Sequence, residues 1–209
     1  MSDRLNVLSH ELRSPVAALA AIAAAFHDAD DAGRRRMLEL ASAACANIER
    51  LLRDASPVSL RIERLDAAAL VRDAADSAVL SGAHVRVKVE PGLLVDADPQ
   101  RLRQALDNLI GNAGGHSPAG GQIDVSGRVE GERVLLTVSD SGPGIDPVDQ
   151  ARIFEAGVRL TDARPGSGLG LAIVQAVAEA HGGTVEVDSA PGQGAAFTLA
   201  LPRASSEPA

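Results

Sequence analysis

The amino-acid sequence predicts an α+β protein in which an antiparallel helical hairpin is followed by an α/β sandwich. Residues 4–56 are rich in alanine and contain one proline and one glycine, a composition that favours helix over strand. After Ser56 and Pro57, short segments of alternating polar and apolar residues separate further helical segments. We therefore expect a helical hairpin over residues 1–56, a second domain over residues 57–203 and a disordered tail over residues 204–209.

The hairpin is predicted from two heptad repeats of apolar residues, which a turn separates at residues 27–33. Because an isolated hairpin leaves part of its apolar face exposed, pairing with a second copy into a homodimeric four-helix bundle would bury that face. Packing of the hairpin against the rest of its own chain is the alternative, and the spacing does not distinguish the two. The apolar positions are Leu5, Leu8, Leu12, Pro15, Leu19, Ile22 and Phe26 in the first repeat and Met37, Ala41, Ala44, Ile48, Leu51 and Ala55 in the second.

The second domain is predicted to place helices on one face of a mixed β-sheet. Asp98 is a typical N-cap residue and begins a helix that continues at least to Ile110. A second helix is predicted over residues 169–180, and His181 with the two glycines after it forms a typical helix end. The predicted strands are residues 85–89, 122–126, 134–138, 185–187 and 196–201.

The composition excludes several classes of protein. Tryptophan and tyrosine are absent and aromatic residues make up 1% of the chain, which excludes an aromatic platform for stacked bases. A formal net charge of -8 argues against a nucleic-acid partner, and a single cysteine excludes a disulfide framework and a cysteine-based zinc site. No apolar segment reaches the roughly 20 residues of a membrane span and no signal sequence precedes the first helix, so we expect a cytoplasmic protein.

The first candidate for chemistry is His10, which the heptad frame places opposite the apolar positions. A neutral imidazole that faces solvent is a nucleophile at pH 7. Glu11 follows directly and could orient the ring or accept its proton, and Pro15 should bend the helix just beyond the two residues. A solvated histidine without a function is the alternative interpretation of His10 taken by itself.

Two glycine-rich segments are candidates for ligand binding. Residues 140–145 begin with Asp140 at the end of a predicted strand, and a carboxylate there can accept a hydrogen bond from a purine amino group. Residues 166–171 open a predicted helix, whose free N–H groups can bind phosphate. Leu171 occupies the place of the last glycine of a dinucleotide fingerprint, so that motif is excluded. An acidic turn and a glycine-rich hinge are the alternatives.

A third candidate lies on the helix after Asp98, where Asn108 and Asn112 are one turn apart on the same face. A neutral side-chain oxygen suits a Mg²⁺ ion that is shared with phosphate groups. Buried asparagines that cap a neighbouring loop are the alternative.

Together these segments resemble the sequence boxes of sensor histidine kinases of two-component systems. Residues 9–15 resemble the phosphoacceptor box of that family, residues 108–112 its N box and residues 140–144 its first glycine box. Residues 153–155 resemble its F box and residues 166–170 its second glycine box. The five boxes occur in the order and roughly the spacing of the family, so the resemblance covers nearly the whole chain.

The resemblance implies a dimerisation and histidine-phosphotransfer hairpin followed by a catalytic ATP-binding domain of the Bergerat type. It implies that His10 is the phosphoacceptor, that Glu11 assists the proton transfer and that an aspartate of a response regulator then receives the phosphoryl group. Ser14 stands where the family commonly has a residue that helps to hydrolyse the phosphoaspartate, and its hydroxyl is compatible with a phosphatase activity. Since no sensor or membrane segment precedes the hairpin, we expect a truncated chain or a signal from a separate protein.

ATP and Mg²⁺ are the cofactors that the resemblance implies. Asn112, supported by Asn108, would hold Mg²⁺ on the phosphates, and Asp140 would accept from the adenine amino group. The other residues implied to shape the nucleotide pocket and its lid are His116, Gly142, Gly144, Phe154, Gly166, Gly168, Leu169 and Gly170.

Two positions depart from the family pattern. Gly115 stands where a lysine or arginine is usual, which removes a cation that neutralises phosphate, and Gly157 stands where the F box usually has a second aromatic residue, which predicts looser lid packing. Arg152, Arg159 and Arg164 could supply the missing charge, although solvated surface arginines are the simpler interpretation.

Two other functions stay open at this stage. A histidine phosphotransfer or adaptor protein with a vestigial ATP domain would explain Gly115 and Gly157, but it would not be expected to retain Asn112 and Asp140. A nucleotide-driven conformational ATPase of the same superfamily would have no use for the His10 box. We therefore expect an ATP-dependent protein-histidine kinase.

Overall fold

The computed structural model of the chain describes residues 2–26, 30–31, 33–34, 36–38, 40–41, 44, 48, 60–160 and 168–205, with side chains from residue 12 onward. The chain divides into two compact units, Met1–Ser59 and Leu60–Ala209. No described helix has the length and apolar character needed to cross a membrane.

The first unit contains helix α1, Ser2–Ala25, which continues through Pro15. The residues described between positions 31 and 48 also have helical backbone. The described heptad positions from Leu12 onward are buried or half-buried, as the apolar repeat predicts. The four-helix bundle stays a prediction.

The turn after α1 is tied to the start of the next helical segment. The carboxylate of Asp30 accepts a hydrogen bond from the N–H of Gly33 at 2.8 Å, and its backbone carbonyl accepts from the N–H of Arg34 at 2.9 Å. The Arg34 guanidinium donates to the carbonyl of Phe26 and lies 6.0 Å from the centroid of its ring. These contacts bring the end of the first helix next to the beginning of the second segment.

In the residues that the structure describes, the second unit contains a mixed five-stranded sheet, a two-stranded sheet and three helices. The helices are α2 (Ala67–Leu80), α3 (Pro99–His116) and α4 (Gly170–Ala180), with a short 3₁₀ turn at Arg152–Phe154. The strands are β1 (Glu63–Asp66), β2 (His84–Val89), β3 (Leu94–Ala97), β4 (Gln122–Glu130), β5 (Arg133–Asp140), β6 (Thr184–Ser189) and β7 (Ala195–Pro202).

The five-stranded sheet has the order β2-β4-β5-β7-β6. The strands β2 and β4 pair in parallel, and the other three neighbouring pairs of the sheet are antiparallel. Its residues alternate between the core and the opposite face. On β5, for example, Leu136 and Val138 are buried and Thr137 is half-buried. The buried face, which includes Phe197 of β7, packs with apolar residues of α2, α3 and α4, among them Val71, Leu106 and Val174.

The predicted strands and the two predicted helices of this unit are confirmed within a few residues. The prediction lacked α2 and the antiparallel pair of β1 with β3. The assignment of Ala204 to a disordered tail is wrong, because its side chain is buried and its N–H donates to the carbonyl of Leu94 at 2.8 Å. Residues 206–209 lie outside the described residues.

Candidate functional site

The helix α3 starts from a buried carboxylate. Asp98 is 4% exposed, and its side chain accepts hydrogen bonds from the backbone N–H groups of Arg61, Gln100 and Arg101 at 2.9, 3.0 and 3.1 Å. Burial by itself raises the pKa of Asp98. The three hydrogen-bond donors together lower that pKa by more than burial raises it, so the pKa lies below its ordinary value. The charged N-cap therefore holds the first turn of α3 in place.

Farther along α3, Asn108 and Asn112 are half-buried and lie one turn apart. The amide nitrogen of Asn108 is buried without a hydrogen-bond partner. Gly170 lies close to this side chain, because a Cβ atom added to Gly170 would lie 3.6 Å from the Oδ1 atom of Asn108. An orphaned buried donor of this kind, beside the start of α4, is a feature typical of functional sites. The two neutral amides fit a Mg²⁺ ion that is shared with phosphate groups. Among the described side chains, no three His, Cys, Asp or Glu groups converge on a metal site.

The first glycine-rich segment begins where β5 ends. Asp140 Oδ1 accepts a hydrogen bond from the N–H of Gly142 at 2.7 Å, and within the described part of the chain its Oδ2 atom has no partner. A Cβ atom on Gly142 would lie 2.7 Å from that Oδ1 atom and 2.8 Å from the carbonyl oxygen of His116. A glycine is therefore required where this loop touches the end of α3.

The second glycine-rich segment is described from Gly168 onward. Gly168 has a φ of 70°, its carbonyl accepts from the N–H of Gly157 at 3.1 Å, and a Cβ atom on it would meet the carbonyl of Val158 at 2.8 Å. No side chain caps the first turn of α4, and no acidic residue lies in that turn. The N–H groups of this turn are thus suited to an anion.

Phe154 lies between the two glycine-rich segments in the chain and is half-buried. Its ring packs edge-to-face on the fully buried Phe197, with centroids 6.4 Å apart and an interplanar angle of 83°. The segment is therefore anchored in the core by one aromatic residue, whereas Gly157 contributes no side chain.

The structure brings most of the predicted nucleotide residues together on one unit. Gly170 lies near the side chain of Asn108, and Gly142 lies against the backbone carbonyl of His116. One predicted nucleotide-site residue, Gly166, lies outside the described residues. The predicted nucleotide-site residues that the structure describes are Asn108, Asn112, His116, Asp140, Gly142, Gly144, Phe154, Gly168, Leu169 and Gly170.

The predicted residues of the first unit lie on α1. His10 and Glu11 have helical backbone, and their side chains lie outside the description. Ser14, one turn beyond His10, has an exposed side chain. The proposed roles of the three residues stay predictions.

The prediction lacked two residues that hold the Asp140 loop, Ser189 at the end of β6 and Gln150 in the turn after the loop. The sequence signal for the first is the turn that follows it, where Pro191, Gly192 and Gly194 mark a tight connection. Gln150 carries no comparable local signal.

Comparison with known proteins identifies the second unit. Residues 97–205 match the family of histidine kinase-, DNA gyrase B- and HSP90-like ATPases. The sensor-like histidine kinase SenX3 of Mycobacterium bovis is 37% identical over 221 residues, which cover 96% of this chain and 53% of SenX3. The chain thus spans about half the length of this curated relative.

Two solved structures are also similar. The mycobacterial sensor histidine kinase MprB has a TM-score of 0.62 and 33% identity, and the match covers 69% of this chain and 99% of MprB. Full-length ShkA in complex with AMPPNP has a TM-score of 0.72 and 32% identity, with 99% of this chain and 47% of ShkA covered.

Proposed function

Because the chain belongs to the family of histidine kinase-, DNA gyrase B- and HSP90-like ATPases, we propose that it is the kinase core of a sensor histidine kinase. It transfers the γ-phosphoryl group of ATP to His10 and then to an aspartate of a response regulator. The observation that carries the proposal is that an ATP-binding unit with Asn112, Asp140 and Gly168 in place follows a helix that bears the His10 box. The similarity to SenX3 extends over both parts.

In this proposal Asp140 recognises the adenine base. Its Oδ1 atom is engaged by the N–H of Gly142, so Oδ2 is the oxygen that accepts a hydrogen bond from the adenine amino group. Gly142 and Gly144 shape the wall of the pocket because neither place has room for a side chain.

The phosphates lie against α3 and the start of α4. Asn112, with Asn108 beside it, is the residue of α3 that would hold Mg²⁺, which neutralises phosphate charge when it is bound. Gly168, Leu169 and Gly170 place backbone N–H groups around the phosphates, in support of which α4 begins without a side-chain cap. The family resemblance assigns Gly166 to the same phosphate site.

The transfer itself is an in-line displacement. A bond forms between an imidazole nitrogen of His10 and the γ-phosphorus while the bond from that phosphorus to the β,γ-bridging oxygen breaks, so that ADP leaves with the electron pair. Glu11 accepts the proton of the other ring nitrogen, because the nitrogen that attacks must present an unprotonated lone pair. Ser14 is exposed on the same helix, and we assign it to the hydrolysis of the regulator's phosphoaspartate.

Gly115 leaves the end of α3 without the usual cation, and Arg159 is the best-placed substitute. The backbone of Gly157 and Val158, just before it, lies against Gly168 of the second glycine-rich segment. Arg164 lies outside the described residues. His116 adds a second group that contacts phosphate.

The proposal includes a homodimer formed through the hairpin in the cytoplasm. Large apolar side chains on the first unit support it, since Val16 is 52% exposed and Leu38 and Leu40 are each 57% exposed. A response regulator is the protein partner. Gly115 favours one second candidate, a phosphotransfer or adaptor protein whose ATP unit is vestigial.

Incubation with γ-labelled ATP and Mg²⁺ tests the proposal. We expect acid-labile, base-stable label on the wild type, none on His10→Ala and little on Asn112→Ala. The control is His84→Ala, which removes an exposed imidazole at the start of β2 and should leave the label unchanged. A folded, dimeric wild type that takes no label would favour the adaptor.

A further inference from the structure

The loop that carries Asp140 is interlocked with the turn between β6 and β7. The carbonyl oxygen of Ala190 occupies the place where a Cβ atom of Gly144 would lie. In the reverse direction, the carbonyl oxygen of Asp140 occupies the place of a Cβ atom on Gly194. Both glycines have positive φ angles, 74° and 75°. Each loop therefore accepts the backbone of the other, and the turn touches Asp140 directly.

One hydroxyl group joins the two loops. Ser189 Oγ accepts a hydrogen bond from the N–H of Ile145 at 2.9 Å and donates to the carbonyl of Gly194 at 2.6 Å. A backbone bond of 2.6 Å from Gly192 to the carbonyl of Pro143 lies beside it. The hydroxyl thus uses its single hydrogen and accepts at the same time, a role that alanine cannot fill.

A side-chain amide completes the connection. Gln150 Nε2 donates to the carbonyl of Ser189 at 2.8 Å and to the carbonyl of Ile145 at 3.2 Å. Both N–H groups of the amide are therefore used, one on each loop. These bonds lie outside the apolar core that holds the helices on the sheet.

We propose that Ser189 and Gln150 are positioning residues that hold Asp140 in the place where it distinguishes adenine from guanine. The inference rests on the proposed function and deepens it. Adenine presents an amino group to the Oδ2 atom, whereas guanine presents a carbonyl oxygen there, which a carboxylate repels. Because the loop is held from both sides, the carboxylate cannot turn away from the guanine carbonyl oxygen, and the repulsion between them is kept. Without the two side chains, Asp140 can move, and the preference for ATP falls.

Binding of ATP and of GTP to the 209-residue chain in the presence of Mg²⁺ tests this role. For Ser189→Ala we expect the Kd for ATP to rise about tenfold, as loss of two hydrogen bonds permits, and the Kd for GTP to change less than twofold. Gln150→Met, an unbranched side chain without N–H groups, should act in the same direction. Ser189→Thr keeps the hydroxyl and should restore most of the preference.

Thr198→Val is the matched control. It removes a hydroxyl hydrogen bond of 2.9 Å to Thr137, on the sheet and outside the two loops, and should leave both Kd values unchanged. The inference is overturned if the folded Ser189→Ala and Gln150→Met variants keep the wild-type ratio of the two Kd values. An equal rise of the Kd for ATP and the Kd for GTP counts as such a result. A folded wild type that binds no ATP would instead overturn the proposed function itself.

Discussion

His181 Nε2 accepts a hydrogen bond from the backbone N–H of Asp98 at 2.9 Å, which joins the end of α4 to the start of α3. The other ring nitrogen lies 2.7 Å from the carbonyl oxygen of Val177, one turn earlier, so Nδ1 carries the hydrogen and Nε2 is the acceptor. Asn108, in the middle of α3, lies near Gly170 at the start of α4, so the two helices are antiparallel. The ring thus fixes the spacing of the two helices that bear the phosphate-site residues.

The variant His181→Ala should therefore destabilise the second unit. The N–H of Asp98 would be left buried without an acceptor, at a cost of about 1–3 kcal/mol in the free energy of unfolding. Urea unfolding measures this loss. His84→Ala, an exposed histidine of β2, is the control and should change the free energy by less than about 0.5 kcal/mol. Equal losses for the two variants would contradict the structural role of the ring.

Asp98 makes the stability of this unit depend on pH. Because its pKa is lower in the folded than in the unfolded chain, its contribution is present above the unfolded value of roughly 4 and is lost as the pH falls through the lower folded value. At pH 7, Asp98→Asn should lower the free energy of unfolding by about 1 kcal/mol. Urea unfolding between pH 7 and pH 2.5 should show the difference from wild type shrinking at the acidic end. A difference that stays constant over this range would disprove the linkage.

Two glycines should respond in opposite directions to substitution by alanine. Gly111 lies inside α3 with nothing within 4 Å of its missing Cβ atom, so Gly111→Ala should stabilise by about 0.5–1 kcal/mol through helix propensity. In Gly142→Ala the Cβ atom would lie 2.7 Å from Asp140 Oδ1 and 2.8 Å from the carbonyl of His116, and we expect a loss of about 1–3 kcal/mol. Chemical denaturation of both variants measures the difference, and a stabilising Gly142→Ala would contradict the close contact of loop and helix.

The missing cation at Gly115 can be restored. Gly115→Lys adds a positive charge at the end of α3, next to His116, and an exposed charge pair is worth up to about 1 kcal/mol, which corresponds to a roughly fivefold lower Kd for Mg²⁺-ATP. The gain should shrink at high ionic strength. Gly115→Gln matches the helix propensity without the charge and should not tighten binding. A gain that is equal for both variants would point to helix stability instead of charge.

Secondary structure with a local signal could be predicted from the sequence, and pairings between distant segments could not. The helix after Asp98 was predicted because its N-cap and its apolar periodicity lie within a few residues of each other. The pair of β1 with β3 was missed because each strand has four residues and gains its hydrogen bonds from a segment about thirty positions away. The helix α2 was missed despite the N-cap Asp66, because many of its residues are alanines, which form a weak apolar pattern.

By itself, the sequence determined the candidates for the proposed chemistry, because an aspartate at a strand end, paired asparagines on a helix and a glycine-rich helix start are visible from neighbouring positions, and their order along the chain carries the family resemblance that assigns their roles. Only the tertiary structure decided what holds them. The links from Asp98 to His181 and from Ser189 to Ile145 join residues 83 and 44 positions apart. Hydrogen bonds of about 3 Å depend on the folded path of the whole chain, and no local pattern of residue types encodes that path.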